Sequence, residues 1–226
     1  MIQEFIYHRS SSARDIFPLK QEARAVARDK TMANVPCYIY MNGYPGVGKL
    51  AIATALQKLL PDSKVYHNHL MIDPIKPIIE RTSPQYEAAR KMLRRALLGL
   101  IATAEEAQPT TWIFTDSRER SAAGATAAKD YQDAAHERGA LFISIVLNCD
   151  LEENIRRMTC PKRESGQTTK LRDPKILRKI RDVEALHQSG GPNELHLDVT
   201  HISPGEAAEI IVEHIIGVKQ NRYEDA

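Results

Sequence analysis

Three glycines and a lysine stand at the spacing G-x-x-x-x-G-K in Gly43-Tyr44-Pro45-Gly46-Val47-Gly48-Lys49. Glycine tolerates backbone angles that a side chain forbids, so successive N–H groups can converge on one anion. The run behind the loop is rich in Ala and Leu. As a helix it would aim the positive end of its dipole at the same point, where Lys49 adds a mobile cation. The arrangement is a phosphate cradle, and nucleotide binding is the chemistry it implies, with residues 43–50 as the expected contacts. The hydroxyl that the pattern carries next is missing, because Leu50 and Ala51 follow the lysine. The usual protein ligand for magnesium is therefore absent from the loop.

The elements that must hold this loop follow from periodicity. Apolar residues at 38–41 read as a strand entering the loop, and Leu50, Ala53, Leu56, Leu59 and Leu60 fall at helical spacing. Strands are expected at 64–66, 111–115, 141–147 and 194–199. Helices are expected at 75–79, 85–107, 126–138, 151–158, 174–186 and 204–216. The nearly unbroken apolar run at 141–147 should be buried on both faces, at the centre of the sheet. Five strands alternating with helices specify an α/β domain with a five-stranded parallel sheet and helices on both faces. In such sheets ligands gather at the carboxyl ends of the strands, and Gly43, Asp73, Asp116 and Asp150 all lie there.

A chain of 226 residues with 42% hydrophobic content can bury one ordinary domain, expected at 37–218. It should be preceded by an extension at 1–36, helical over about 18–30, and followed by a frayed polar tail at 219–226. The formal charge of +2 argues against a nucleic-acid binder, although the segment 156–181 carries ten Lys or Arg against only Glu164 and Asp173. That segment is either a solvated helix face or a lid that meets an anionic ligand. Cys37, Cys149 and Cys160 form no disulfide framework and no zinc spacing, which suits a reducing, cytoplasmic setting. No apolar run is long enough for a membrane span.

These motifs resemble the small P-loop kinases related to adenylate kinase, shikimate kinase and chloramphenicol phosphotransferase. They look still more like a subgroup of kinase-like ATP-binding proteins with the loop P-G-V-G-K-L, here Pro45 to Leu50, and H-N-H-L after the second strand, here His67 to Leu70 with Asp73 beyond. The resemblance implies a three-layer P-loop NTPase fold with a small helical lid at about 156–181, and ATP with magnesium as cofactors. Under it, Lys49 binds phosphate and Asp73 engages the acceptor hydroxyl. Asp116 stands on the magnesium side, and Arg157 and Arg163 are lid arginines closing on phosphates. His67, Asn68, His69, Arg118 and Arg120 face the substrate, and Thr200 flanks adenine. Each residue also has a plainer reading: Asp73 before Pro74 or Asp116 before Ser117 can simply start a helix, and an arginine on a basic face can be solvated. Two histidines one residue apart in extended chain point to opposite faces, which argues against a shared metal.

The resemblance thus implies an ATP-dependent phosphotransferase acting on a small hydroxyl-bearing molecule. Leu50 and Ala51 leave open an ATP-binding regulator or scaffold with impaired catalysis. A nucleic-acid end kinase is disfavoured by the near-balanced charge and by the lack of aromatics within the basic segment.

Overall fold

A computed structural model describes residues 36–160 and 170–224. The proposed N-terminal extension and Arg163 lie outside these residues, apart from Pro36.

Five parallel strands form one sheet in the order β2-β3-β1-β4-β5, with β1 at Cys37–Gly43, β2 at Ser63–His67, β3 at Thr111–Thr115, β4 at Leu141–Asn148 and β5 at Glu194–Asp198. Parallel neighbours cannot be joined by tight turns, so each crossover runs over a face of the sheet. The helices are α1 at Lys49–Leu59, α2 at His69–Ile72, α3 at Tyr86–Thr103, α4 at Ala122–Glu137, α5 at Leu151–Thr159, α6 at Pro174–Val183 and α7 at Pro204–Glu224. A short 3-10 turn, Glu105–Ala107, follows α3.

The pleat of β1 organises the two cores. Cys37, Ile39 and Met41 face one side with Ile52, Leu56, Ile211 and Ile215 of α1 and α7, whereas Tyr38 and Tyr40 face the other with Leu98, Ile101 and Tyr131 of α3 and α4. Every residue of β1 is buried. The central strand is therefore β1, and β4, expected at the centre, is its interior neighbour. Both are covered on two faces, so an apolar run alone could not rank them.

Several boundaries differ from expectation, among them the start of α4, at Ala122 against 126, and the end of α3, at Thr103 against 107. Residues 75–79 form turns, since Pro74 and Pro77 interrupt a helix, and the helical turn lies earlier, at α2. Helix α6 ends at Val183, before the expected 186. Helix α7 continues to Glu224 with Lys219 buried against the domain, where a frayed tail was expected. Among the described residues no helix is long and apolar enough to cross a membrane.

Candidate nucleotide and acceptor site

The loop between β1 and α1 is a built turn. Gly46 and Gly48 have φ of 91° and 111°, in the region that disfavours side chains. A Cβ on Gly43 would sit 2.8 Å from the Leu147 carbonyl oxygen, so only glycine lets β1 and β4 run this close. Lys49 folds back over the loop, its Nζ donating to the carbonyls of Gly43 at 2.6 Å and Tyr44 at 2.9 Å. Its ammonium thus lies at the centre of the turn. The first turn of α1 has no capping side chain and no acidic residue, so its amides and dipole remain available to an anion. The cradle fits a polyphosphate.

Asn42, Asn154 and Arg181 brace the loop from outside. Asn42, fully buried, accepts from the amides of Gly43 at 2.9 Å and Arg118 at 2.8 Å, and donates to the carbonyls of Arg118 and His187, both at 2.9 Å. Asn154 of α5 donates to the Pro45 carbonyl at 2.9 Å. Arg181 of α6 donates to the Cys149 carbonyl at 2.8 Å and to Asn154 at 3.1 Å, and its guanidinium stacks 4.8 Å from the Tyr44 ring. Tyr44 donates in turn to the Glu184 carbonyl at 2.8 Å. The C-terminal half of the basic segment is therefore docked on the loop, with Leu177 of α6 fully buried.

Arg157 has a position that charge alone did not suggest. Its guanidinium donates to the carbonyls of Val47 at 2.9 Å, Val199 at 2.6 Å and Thr200 at 3.2 Å, and to Glu153 at 2.6 Å. It clamps the loop to the segment after β5, where Thr200 accepts from the Asp150 amide at 2.9 Å. Thr200 thus ties the segment after β5 to the start of α5.

On the other side lie the ends of β2 and β3. The chain turns into α2 at Asn68, so His67 and His69 do not point oppositely: their ring centres are 6.2 Å apart. His69 Nδ1 lies 3.7 Å from a carboxylate oxygen of Asp73, the residue that follows α2. Burial pushes both histidines below their usual range, a trend that the Asp73 charge opposes. Among the described residues, His67 Nδ1, His69 Nδ1 and Asn68 Oδ1 are buried and find no hydrogen-bond partner.

Asp116, at the end of β3, is wholly buried and its carboxylate is already engaged. One oxygen accepts from the Ser117 amide at 2.8 Å; the other accepts from Arg118 Nε at 2.8 Å and from the Tyr131 hydroxyl at 3.4 Å. Burial would raise its pKa, but the Arg118 charge and then Arg90 outweigh that and hold it below the ordinary value. Asp116 therefore anchors Arg118, with both carboxylate oxygens already accepting hydrogen bonds. Leu50 and Ala51 follow the lysine, and among the described residues no group of three or more His, Cys, Asp or Glu is placed to hold a metal, so a magnesium ion here would rest chiefly on phosphate oxygens and water.

Arg118 is 6% exposed, whereas Arg120 reaches outward to Gln188 at 3.0 Å. The expected substrate arginines thus divide into one buried and one on the surface. Sequence reading missed Glu87 and Arg90 of α3. Arg90 donates to Glu87 at 2.9 Å and comes within 4.0 Å of Asp116, and the second Glu87 oxygen lies 3.7 Å from Arg118. The cue was the spacing of Glu87 and Arg90, three apart on one helix face; which element that face meets is set by the fold.

No protein-family model matches the chain, and no curated protein matches it in sequence. Solved structures do resemble it. A gluconokinase from Sinorhizobium meliloti 1021 superposes with a TM-score of 0.60 at 14% identity, over 85% of this chain and 99% of that one. The shikimate kinase of Acinetobacter baumannii in complex with shikimate gives 0.52 at 18% identity, over 84% and 98%. The Mycobacterium tuberculosis APS kinase CysC in complex with AMPPNP and APS gives 0.51 at 16%, over 80% and 98%. At such identities the likeness speaks for architecture, and together with the five-stranded parallel sheet it shows that this chain has the fold of the small P-loop kinases.

Proposed function

We propose that the protein is an ATP-dependent phosphotransferase acting on a small hydroxyl-bearing molecule. The observation that carries this reading is the Lys49 ammonium held at the centre of a glycine turn whose amides face no side-chain cap. The solved structures that share the fold include kinases named for gluconate, shikimate and APS, which supports an acceptor of small size. In this reading the loop amides and Lys49 bind the β- and γ-phosphates. Asp73, beyond the end of the strand paired with β3, orients the acceptor hydroxyl and accepts its proton as the oxygen bonds to the γ-phosphorus and the β–γ bridge oxygen leaves with ADP. His69, at 3.7 Å, steadies the Asp73 carboxylate. Arg157 keeps the loop in register.

Calorimetry with ATP tests the first step. Binding that Lys49→Ala abolishes supports the reading, and no heat with any purine triphosphate defeats it. A turnover assay over a panel of small alcohols and sugar acids follows.

Leu50, Ala51 and the engaged Asp116 favour a second reading, a nucleotide-binding regulator with impaired transfer. Tight ATP binding with no turnover across the panel, with or without magnesium, distinguishes it. Restoring a hydroxyl with Leu50→Thr should then make nucleotide affinity rise on adding magnesium, an increase that the parent chain lacks.

A further inference from the structure

Helix α3 has an inner and an outer face. The inner one buries Arg90, Arg94, Leu98 and Ile101. On the opposite side lie Ala89, Met92, Ala96, Gly99 and Thr103, spaced three, four, three and four residues apart, with Leu100 beside them. Met92 is 72% exposed and Leu100 62%, and Ala96 and Thr103 are exposed with them. An apolar stripe thus runs along the helix with water, rather than the core, in front of it.

Gly99 gives this face a second mark. A glycine inside a helix is destabilising, and packing within the chain supplies no reason for one here, because a Cβ would meet nothing within 4 Å. Thr103 spends its hydroxyl within the helix, donating to the Gly99 carbonyl at 2.9 Å. Spacing of three and four is that of a seam between two helices, and small side chains in such a seam let the backbones come close.

The charges beside the stripe say what lies across it. Lys91 and Arg95 are exposed in the middle of α3, and Glu105 and Glu106 are exposed just beyond its end. Asp130 anchors Arg95 at Nε, yet 55% of the Arg95 side chain remains exposed. A second α3 laid parallel would set like charges level. Laid antiparallel, with Ala96 of one copy beside Gly99 of the other, it puts Met92 against Thr103 and brings Lys91 and Arg95 of each copy up to Glu105 and Glu106 of the other. Sliding the pair until Ala96 meets Met92 turns Arg95 toward its own counterpart, which is repulsive.

We infer that the outer face of α3 is a self-association surface whose partner is the same helix of a second copy, antiparallel and in the Ala96–Gly99 register. The contact is isologous, so each pair of residues occurs twice. The 18 residues of α3 span about 27 Å. A seam of that length covers less than the about 800 Å² per partner of a standard interface, so the dimer is weak, with a Kd of about 10–100 µM. The inference does not depend on the phosphotransferase reading.

Sedimentation velocity on the full chain over a range of concentrations tests it. The parent should shift from monomer to dimer across the range, and Met92→Glu, a change at an exposed position, should stay monomeric with an unchanged circular dichroism spectrum. Reversing the acidic end with Glu105→Lys and Glu106→Lys together should weaken the dimer by about tenfold, since each ion pair counts twice. Adding Lys91→Glu to that chain should restore most of the loss, an outcome that general damage to the helix would not give. A parent that is monomeric at about 200 µM, well above that Kd, overturns the inference, and so does a dimer that Met92→Glu leaves untouched. Failure of Lys91→Glu to rescue overturns the antiparallel register.

Discussion

Replacing Arg157 by alanine separates a clamp from a lid residue. In the structure the guanidinium reaches three backbone carbonyls, two of them at 2.6 and 2.9 Å, and is 21% exposed. A hydrogen bond from a charged donor contributes about 1.5–3 kcal/mol, so loss of the two shorter ones should cost about 3 kcal/mol. For a chain of this size that corresponds to a fall in Tm of roughly 6–12 °C. Because one of the freed carbonyls is that of Val47, within the cradle, nucleotide affinity should also fall, by about tenfold. Arg157→Lys should recover only part of either loss, since one ammonium cannot span the fork. Thermal unfolding followed by circular dichroism, and calorimetry with ATP, read the two effects. An unchanged Tm together with a selective loss of phosphoryl transfer would refute the clamp and restore the lid.

Two pH-dependent outcomes follow from neighbouring charges. Hydrogen bonds from Arg156, with help from Arg157, hold the Glu153 carboxyl at about 2 against the ordinary 4.5. Its contribution to stability is present above that ordinary value and is lost as pH falls from there through about 2, so Glu153→Gln should flatten this stretch of the acid-unfolding curve. At His69, burial favours the neutral ring, so the folded state resists protonation and the residue works against folding as pH drops below 6.5. A proton-NMR titration should place its midpoint below 6.5, and lower still in Asp73→Asn; a midpoint at or above 6.5 contradicts the burial seen here.

The glycine turn was legible because its determinants are local: glycine angles, a following helix and a lysine at fixed spacing all act within a dozen residues. The strand order needed more. Both β1 and β4 read as fully buried, and only pairing with β3 puts β1 in the middle. Asp116 was found by its place at a strand end, yet its partner Arg118 takes up the carboxylate. Proximity of two to four residues in sequence does not reveal which of several charges is satisfied. The His67–His69 geometry failed on one assumption, that the chain stays extended through Asn68. Glu87 and Arg90 were passed over because they resemble any exposed helical ion pair until α3 is laid against the ends of the strands. Arg157 was singled out for its charge and proved to be tied to backbone, a distinction of a few ångströms that no spacing encodes.

Asn42 spends the whole bonding capacity of its amide on three separate stretches of chain: the entry to the cradle, the exit of β3 and the strand-like passage through His187. None of the three can slide without breaking a buried bond in the other two. The backbone at Arg118 and the entry to the glycine turn are thereby held in one fixed relation. An isosteric aspartate there, which can accept but not donate, would set a carboxylate oxygen against the Arg118 and His187 carbonyls and loosen all three stretches.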